Sequence, residues 1–567
     1  MSQTHPPTHP PTQPKTHQAT HSSTGAPAKE AWGTRLGVIL AVMGSAVGLG
    51  NFLRFPGLAA QYEGGAFMVP YFIALFVLGL PLAWGEWAMG RYGGARGYNS
   101  SPGIYRAVWP NPASPYLGVL AMVVPVVIYM YYVLIESWCL AYAWFYLDGT
   151  MRAVGGAARE AGKDGALSKQ VYTDLLLGFI GAKEDGSAFN AKGLFFLAFC
   201  FIANFVLIYR GLSKGIERFC LWAMPALVLC AVLVLVRVLT LSPVEGRTVS
   251  DALGFMWNPR AGDKSFLESL ANPRMWMDAT GMIFFSLSVG FGIIVTYASY
   301  LKRKDDVALS SLTSCAGNEF CEVALGGMIT VPAAFLFLGA TAVTAAAGSS
   351  FNLGFMTLPM VFEQMPLGHA AGFLFFFLLF LAAVTSSISM LQPAIALLEE
   401  GLGVTRRASV AVLGFVTLCG TMFTLYFSKG TVALDTLDVW VGTFFIYLLA
   451  IYQTLLFGWA MGPKAGLKEL DEGAAIRVPR AVGFILRWVA PVYLGVILGA
   501  FAYGEWGKGK ESLFAKVASD RVVGMSVGFI AVVTVFFLLV IAQSVKRWER
   551  AEARASLAGT NQSENQP

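Results

Sequence analysis

The chain has 567 residues, of which 56% are hydrophobic and only 13% charged, with net charge +6 and mean hydropathy +0.60. Soluble domains carry about 25% charged residues, so this composition excludes a soluble enzyme, a disordered chain, a collagen and a disulfide scaffold. It supplies about a dozen helical spans of ~20–25 residues. The long, continuous apolar runs exclude a β-barrel, whose strands are short and alternating.

Residues 1–30 are rich in Pro, Thr and His and read as a disordered cytoplasmic tail, not a signal peptide. Four of the five histidines (His5, His9, His17, His21) lie there, and only His369 remains for a histidine site. Apolar runs follow near 35–59, 66–90, 115–147, 192–209, 217–240, 275–297, 309–341, 370–398, 408–427, 437–460, 481–503 and 521–545. The chain is therefore expected to be an all-α polytopic membrane protein of twelve helices. Lys and Arg gather after the even-numbered runs, at Arg91, Arg96 and Arg106, at Lys302 to Lys304, and at Lys546 and Arg547. The excess of positive charge on inner loops then places both termini in the cytoplasm, in the cell (inner) membrane. The segment 148–191 is the longest polar insertion and is expected outside. The expected organisation is a tail at 1–30, five-helix halves at 31–240 and 241–460, helices 11 and 12 at 461–547, and a cytoplasmic tail at 548–567. The seven cysteines lie in or beside apolar runs without metal-type spacing and read as buried thiols.

The few polar residues within the runs carry the chemistry. Run one holds Gly44-Ser45-Ala46-Val47-Gly48-Leu49-Gly50-Asn51, then Arg54. Gly44 and Gly48 fit close packing, but Asn51 and Arg54 are expensive in hydrocarbon unless they face a cavity or partner. A helix broken at mid-membrane explains both. It frees carbonyls for a cation and N–H groups for a carboxylate. Run six repeats the pattern with Ser286, Ser288, Gly290 and Gly292, at the matching position of the second half. Run eight places Ala382, Thr385 and Ser386 on one face, an oxygen-only cation set or, more simply, hydroxyls bonded back to the preceding turn. Run seven carries Asn318 and Glu322 one turn apart, with Glu319 between. Glu86 and Glu136 read as partners of helix ends or loops. Gly215 and Pro225 suit either a helix able to unwind at its inner end or a simple helix start. Gly524-Met525-Ser526-Val527-Gly528 matches a nucleophile pattern by chance, with no strand-to-helix elbow around it.

Trp32 to Gly94, including GSAVGLGNFLRFP, together with YYVLIESW, SKGIERF, IFFSLSVGFG, TYASY, FNLGFMTLP and TSSISMLQP, resembles the neurotransmitter:sodium symporter family. The similarity is greatest to its bacterial leucine-transporter branch and spans roughly residues 30–445. The resemblance implies a five-plus-five inverted repeat with helices 1 and 6 broken, and alternating access. It implies two sodium sites: one of Ala46, Asn51, Ser286, Asn318 and the substrate carboxylate, the other of Gly44, Val47, Ala382, Thr385 and Ser386. The substrate carboxylate would meet Leu49, Gly50 and Tyr132. Its amine would meet Ala46, Phe285, Ser286 and Ser288, and its side chain Ile128, Tyr132, Phe285, Phe291, Ser386 and Met390. An apolar, medium-sized amino acid such as Leu, Met, Ile or Val fits that pocket, whereas a charged side chain would be stranded. Val289 disfavours tryptophan.

The departures are informative. Gly48 stands where amine-transporting relatives carry Asp, which favours an α-amino acid over a bare amine. Glu322 and Met282 stand where chloride-dependent relatives carry Ser and Gln. A fixed carboxylate replaces the anion, so chloride independence follows, with protonation of Glu322 aiding the return step. The outer gate would pair Arg54 with Asp438 under a lid of Tyr132 and Phe285, with Leu58 replacing a bridging Gln. The inner gate would pair Lys29 with Glu400 beside Trp32, Ser299 and Tyr300. A non-transporting amino-acid sensor or accessory protein on the same fold is the alternative, and no enzymatic constellation is present. No nucleic-acid partner is expected.

Overall fold

The computed structural model describes residues 30–62, 64–160, 165–182, 190–258, 266–348, 351–427, 429–509 and 512–564. The fold is all-α; among the described residues only an isolated bridge between Val244 and Arg247 pairs extended backbone. The helices of the apolar runs are α1 (Arg35–Ala46), α2 (Gly50–Gln61), α3 (Gly65–Gly94), α4 (Ser114–Leu147), α5 (Ala191–Tyr209), α6 (Leu212–Leu239), α7 (Pro273–Leu287), α8 (Ile293–Ala298), α9 (Val307–Leu338), α10 (Gly368–Leu402), α11 (Arg406–Tyr426), α12 (Val432–Met461), α13 (Arg480–Gly507) and α14 (Arg521–Glu564). Among the described residues ten are individually long and apolar enough to cross a membrane. The pair α1 and α2, bent by 49°, makes an eleventh such span. The sixth apolar run is the split pair α7 and α8. Each apolar run of the sequence thus coincides with one helix or one split pair.

The breaks follow from local chemistry. α1 ends where Val47 turns extended, at φ −70° and ψ 102°. The Asn51 side chain then accepts the Gly48 N–H at 2.8 Å, satisfying one donor that the break frees. Between α7 and α8, Ser288 (φ 54°), Gly290 (φ 75°) and Gly292 (φ 78°) all lie in left-handed backbone. Glycine is needed at 292 twice over, because a Cβ there would also stand 2.6 Å from that of Ala121.

α4 and α10 pack along each other at the centre, and α4 is buried over almost its whole length. α5, α6, α11, α13 and α14 turn large apolar side chains outward, among them Phe199, Leu229, Phe415, Val496 and Leu539. A hydrocarbon environment stabilises such faces. Six cysteines are buried and all seven are free, but Cys419 is exposed on α11, contrary to the expectation of burial. α6 is continuous: wide turns over Leu212–Glu217 run directly into the helix, and Pro225 is accommodated inside it. The Gly215–Pro225 segment is therefore wound in this conformation. Ser526 donates to the carbonyl of Val522 at 2.8 Å within α14, as an ordinary helical serine does.

One close approach fixes the first break against α9. A Cβ on Gly326 would stand 2.0 Å from the carbonyl oxygen of Asn51. Gly326→Ala must push the broken segment aside. A loss of about 1–3 kcal/mol is expected, the usual range for overpacking a tight core. A thermal unfolding midpoint equal to that of the parent protein would contradict this.

Candidate ion and substrate site at the helix breaks

The two breaks face each other. The Ser288 hydroxyl donates to the Ser45 carbonyl at 2.9 Å, joining them directly. Glu86 on α3 accepts the Gly290 N–H at 3.0 Å and buttresses the second break, as expected of a partner to freed backbone. Glu136 behaves differently from expectation. It accepts from Asn204 at 3.0 and 3.2 Å and from Ser387 at 2.5 Å, so it ties the middles of α4, α5 and α10 together.

Ser386 on α10 reaches across to the first break. Its hydroxyl oxygen lies 3.4 Å from the Gly44 carbonyl, 3.3 Å from Ser45, 3.5 Å from Val47 and 3.0 Å from Ala382. One hydroxyl has one proton and serves one of these four acceptors at a time. Ser45 also accepts from Ser288 and Ala382 from Thr385, while the Gly44 and Val47 carbonyls keep lone pairs turned toward the same point, an arrangement suited to a hard cation. Thr385 bonds back to the Leu381 and Ala382 carbonyls at 3.1 and 3.0 Å. Back-bonding thus describes Thr385 here, while Ser386 also crosses between helices. Gly44 permits the approach, since a Cβ there would stand 3.2 Å from the Thr385 Cβ.

A second polar group lies between α2, α7 and α9. Asn51 donates to Asn318 at 2.9 Å and to Glu322 at 3.0 Å. Asn318 donates to Ser286 at 2.7 Å, and Ser286 donates to Glu322. All four are buried. Three residues expected at one cation site are therefore together, with Glu322 hydrogen-bonded among them. Tyr71 was not anticipated. Its hydroxyl lies 2.7 Å from both Glu319 and Glu322. A tyrosine in an apolar run carries no sequence signal for this role. Ser45 was missed too, although Ser288, Ser386 and Ser389 all converge on it.

Of the expected substrate residues, Leu49, Gly50, Tyr132 and Phe285 line a cavity of about 250 Å³ that also touches Arg54 and Asp438. The Leu49 N–H donates to the Tyr132 hydroxyl at 3.2 Å. Ile128, Ser288, Phe291, Ser386 and Met390 are buried outside that lining. The Phe285 and Phe291 rings meet edge-on at 6.1 Å.

The gates are unequal. Among the described residues no ion pair joins Arg54 to Asp438. Tyr131 donates to Asp438 at 2.7 Å, while the Arg54 guanidinium sits 5.0 Å over the Phe285 ring. The expected outer pair is thus open, each partner held by an aromatic neighbour. At the other end neighbouring elements are tied together. Trp32 donates to the Tyr297 carbonyl at 3.0 Å, and Gln392 to the Tyr300 hydroxyl at 3.2 Å. Lys29 lies outside the described residues. Glu400 accepts the N–H groups of Asn99 and Ser100 at 2.6 and 2.7 Å. Arg406 pairs with Glu30 at 3.1 Å and Glu399 at 3.6 Å.

A polytopic helical protein with two split helices, their freed carbonyls facing hydroxyls and amides, and a cavity beside the breaks is a secondary transporter of the broken-helix type. The model of the sodium:neurotransmitter symporter family matches residues 29–153 and 186–545, and the chain belongs to that family. An uncharacterized sodium-dependent transporter of Methanocaldococcus jannaschii is 25% identical over 476 residues, covering 83% of this chain and 90% of that protein. The uncharacterized sodium-dependent transporter YhdH of Bacillus subtilis is 30% identical over 377 residues, covering 65% of this chain and 72% of its own length. The crystal structure of MhsT in complex with L-phenylalanine superposes with a TM-score of 0.69 at 25% identity, covering 83% of this chain and 99% of MhsT. The family comprises secondary transporters, not enzymes, and the chain is a sodium-coupled, multi-pass membrane transporter.

Proposed function

We propose that the protein imports a medium-sized apolar α-amino acid with sodium, independently of chloride, by alternating access. The observation that carries this reading is the Ser386 hydroxyl among the carbonyl oxygens of Gly44, Ser45 and Val47 at the first break and of Ala382 on α10. That cage is one sodium site, completed by Thr385. Asn51, Ser286, Asn318 and the Ala46 carbonyl form the other, with the substrate carboxylate as last ligand.

The carboxylate docks on the N–H groups of Leu49 and Gly50 and on Tyr132, while the amine takes the carbonyls of Ala46, Phe285 and Ser286 and the Ser288 hydroxyl. Ile128, Tyr132, Phe285, Phe291, Ser386 and Met390 surround the side chain. Glycine at position 48 supplies no acidic side chain to balance a bare amine, and a Cβ there would stand 2.8 Å from the Tyr132 hydroxyl. MhsT, a similar protein, was crystallised with an amino acid, which supports the substrate class.

The Arg54–Asp438 end faces outward. Arg91, Arg303, Arg406 and Arg106 follow even-numbered runs. Their contacts with Glu469, Glu472, Glu30 and Glu552 gather these loops at the opposite end. Excess positive charge there supports an inner-membrane protein with cytoplasmic termini.

Proteoliposomes with an inward sodium gradient are expected to accumulate labelled leucine. In competition, Met, Ile and Val should displace it, while Asp and Lys should not. Binding without sodium-driven accumulation would favour a sensor on this fold instead.

A further inference from the structure

The inner half of the first split helix is held by a carboxylate that none of the ion or substrate sites uses. Glu217 ends the wide-turn segment at the start of α6 and is 3% exposed. It accepts the Gly33 N–H at 2.8 Å, the Thr34 N–H at 2.9 Å and the Thr34 hydroxyl at 2.8 Å. The Thr34 hydroxyl in turn accepts the Gly37 N–H at 2.9 Å and caps α1. The donors and the helix dipole at this N-terminus all favour negative charge. The sequence makes room for it. A Cβ on Gly37 would stand 2.1 Å from the Glu217 carboxylate, and one on Gly33 would stand 3.2 Å away.

Other anchors share this end, among them the pair of Arg406 with Glu30 at 3.1 Å. Arg35 pairs with Asp306 at 3.1 Å, but the Arg35 side chain is 49% exposed, and solvent screens such a pair. The Trp32 bond to Tyr297 is between neutral groups. α1 is only 12 residues long and is cut from α2 by the break, so its inner end depends on these lateral contacts. The cavity lies beside Arg54, and the lateral bonds of residues 32–35 hold the opposite end, so α1 is the element that must leave its neighbours for the inner side to open.

We propose that Glu217 is a positioning residue of the transport cycle: a clasp from α6 that holds the N-terminus of α1 in the inward-closed state and must release it before ions and substrate leave. Gly37 is the seat of that clasp. The inference rests on the chain's being a transporter and does not depend on which amino acid it carries.

Cys220 reports the event. It is fully buried, and its sulfur lies 3.5 Å from where a Cβ on Gly44 would be, behind α1. Full-length protein in sodium is exposed to a hydrophilic thiol reagent, and modification of Cys220 is followed by peptide-resolved mass spectrometry. Glu217→Gln is expected to raise the rate roughly tenfold or more, the effect of losing one charge-assisted hydrogen bond. Gly37→Ala should displace the carboxylate and do the same. Adding Gly37→Ala to Glu217→Ala should change nothing further. Glu217→Asp, which keeps the charge but withdraws it by one methylene, should be intermediate, and it serves as the measurement if the glutamine variant does not fold. Cys220 rates equal to the parent protein in the Gln and Asp variants, or additive effects in the double variant, overturn the clasp. Failure of the parent protein to accumulate substrate would count against transport itself, and is read separately in the uptake assay.

Discussion

Replacing Ser386 with alanine is expected to remove the response of the protein to sodium. The variant deletes the one side-chain oxygen that reaches all three carbonyls of the first break, those of Gly44, Ser45 and Val47. A hydrogen-bonding group facing a charge contributes about 1.5–3 kcal/mol, which is about ten- to a hundredfold in affinity. Sodium binding to the folded state alone raises its stability through mass action. The parent protein should therefore show an unfolding midpoint that rises with sodium at constant ionic strength, and Ser386→Ala should lose most of that rise. Its midpoint without sodium should move much less, because the hydroxyl serves only one carbonyl at a time. Sodium-driven uptake should fall with the same concentration dependence. An unaltered sodium titration in Ser386→Ala would dismiss the assignment of this cage.

Glu322→Ser is expected to impose a chloride requirement on transport that we propose to be chloride-independent. The carboxylate accepts from Asn51 at 3.0 Å, from Tyr71 at 2.7 Å and from Ser286. Serine leaves those donors converging on a place without charge. A chloride ion there restores the negative charge that balances a bound sodium, since a lone charge in low dielectric is strongly disfavoured. Uptake by the variant should drop about tenfold in gluconate, the scale of one charged hydrogen bond, and recover as chloride is added. The parent protein should transport equally in both salts. Loss of uptake by the parent protein in gluconate would refute the proposed chloride independence. A variant equally active in both salts would show that the carboxylate does not take the place of an anion.

Much of the site was legible because the cost of polar groups in hydrocarbon singles them out. Asn51, Ser286, Asn318 and Glu322 stand out against apolar neighbours, and the structure brings them within hydrogen-bond reach of one another. Ser386 is similar, although on its own helix it reads as an ordinary back-bonded serine. Tyr71, Asn204 and Glu217 were not legible. Tyrosine and asparagine near a helix face have many uses, and a glutamate at a helix start normally faces water. Their partners lie 251, 68 and 184 residues away along the chain. Only the packing of α3, α5 and α6 brings each to its acceptor or donor. The gate residues show the same limit. Arg54 and Asp438 line one cavity, yet Asp438 accepts from Tyr131 and Arg54 sits over Phe285 rather than the two pairing with each other.

The sequence by itself determined the environment, the number and placement of the apolar segments, and the two points at which helices must break. Hydropathy and glycine content are local properties, and a bilayer or a left-handed residue responds to them locally. The tertiary structure decided which oxygens face which. It showed that Ser386 reaches Gly44, Ser45 and Val47 across helices, that Glu322 accepts from both Asn51 and Ser286, and that Trp32 is tied to Tyr297 while a cavity lies beside Arg54. A cation site needs several acceptors within a few ångströms of one point. That condition is met only when separate helices pack, so composition and spacing do not express it.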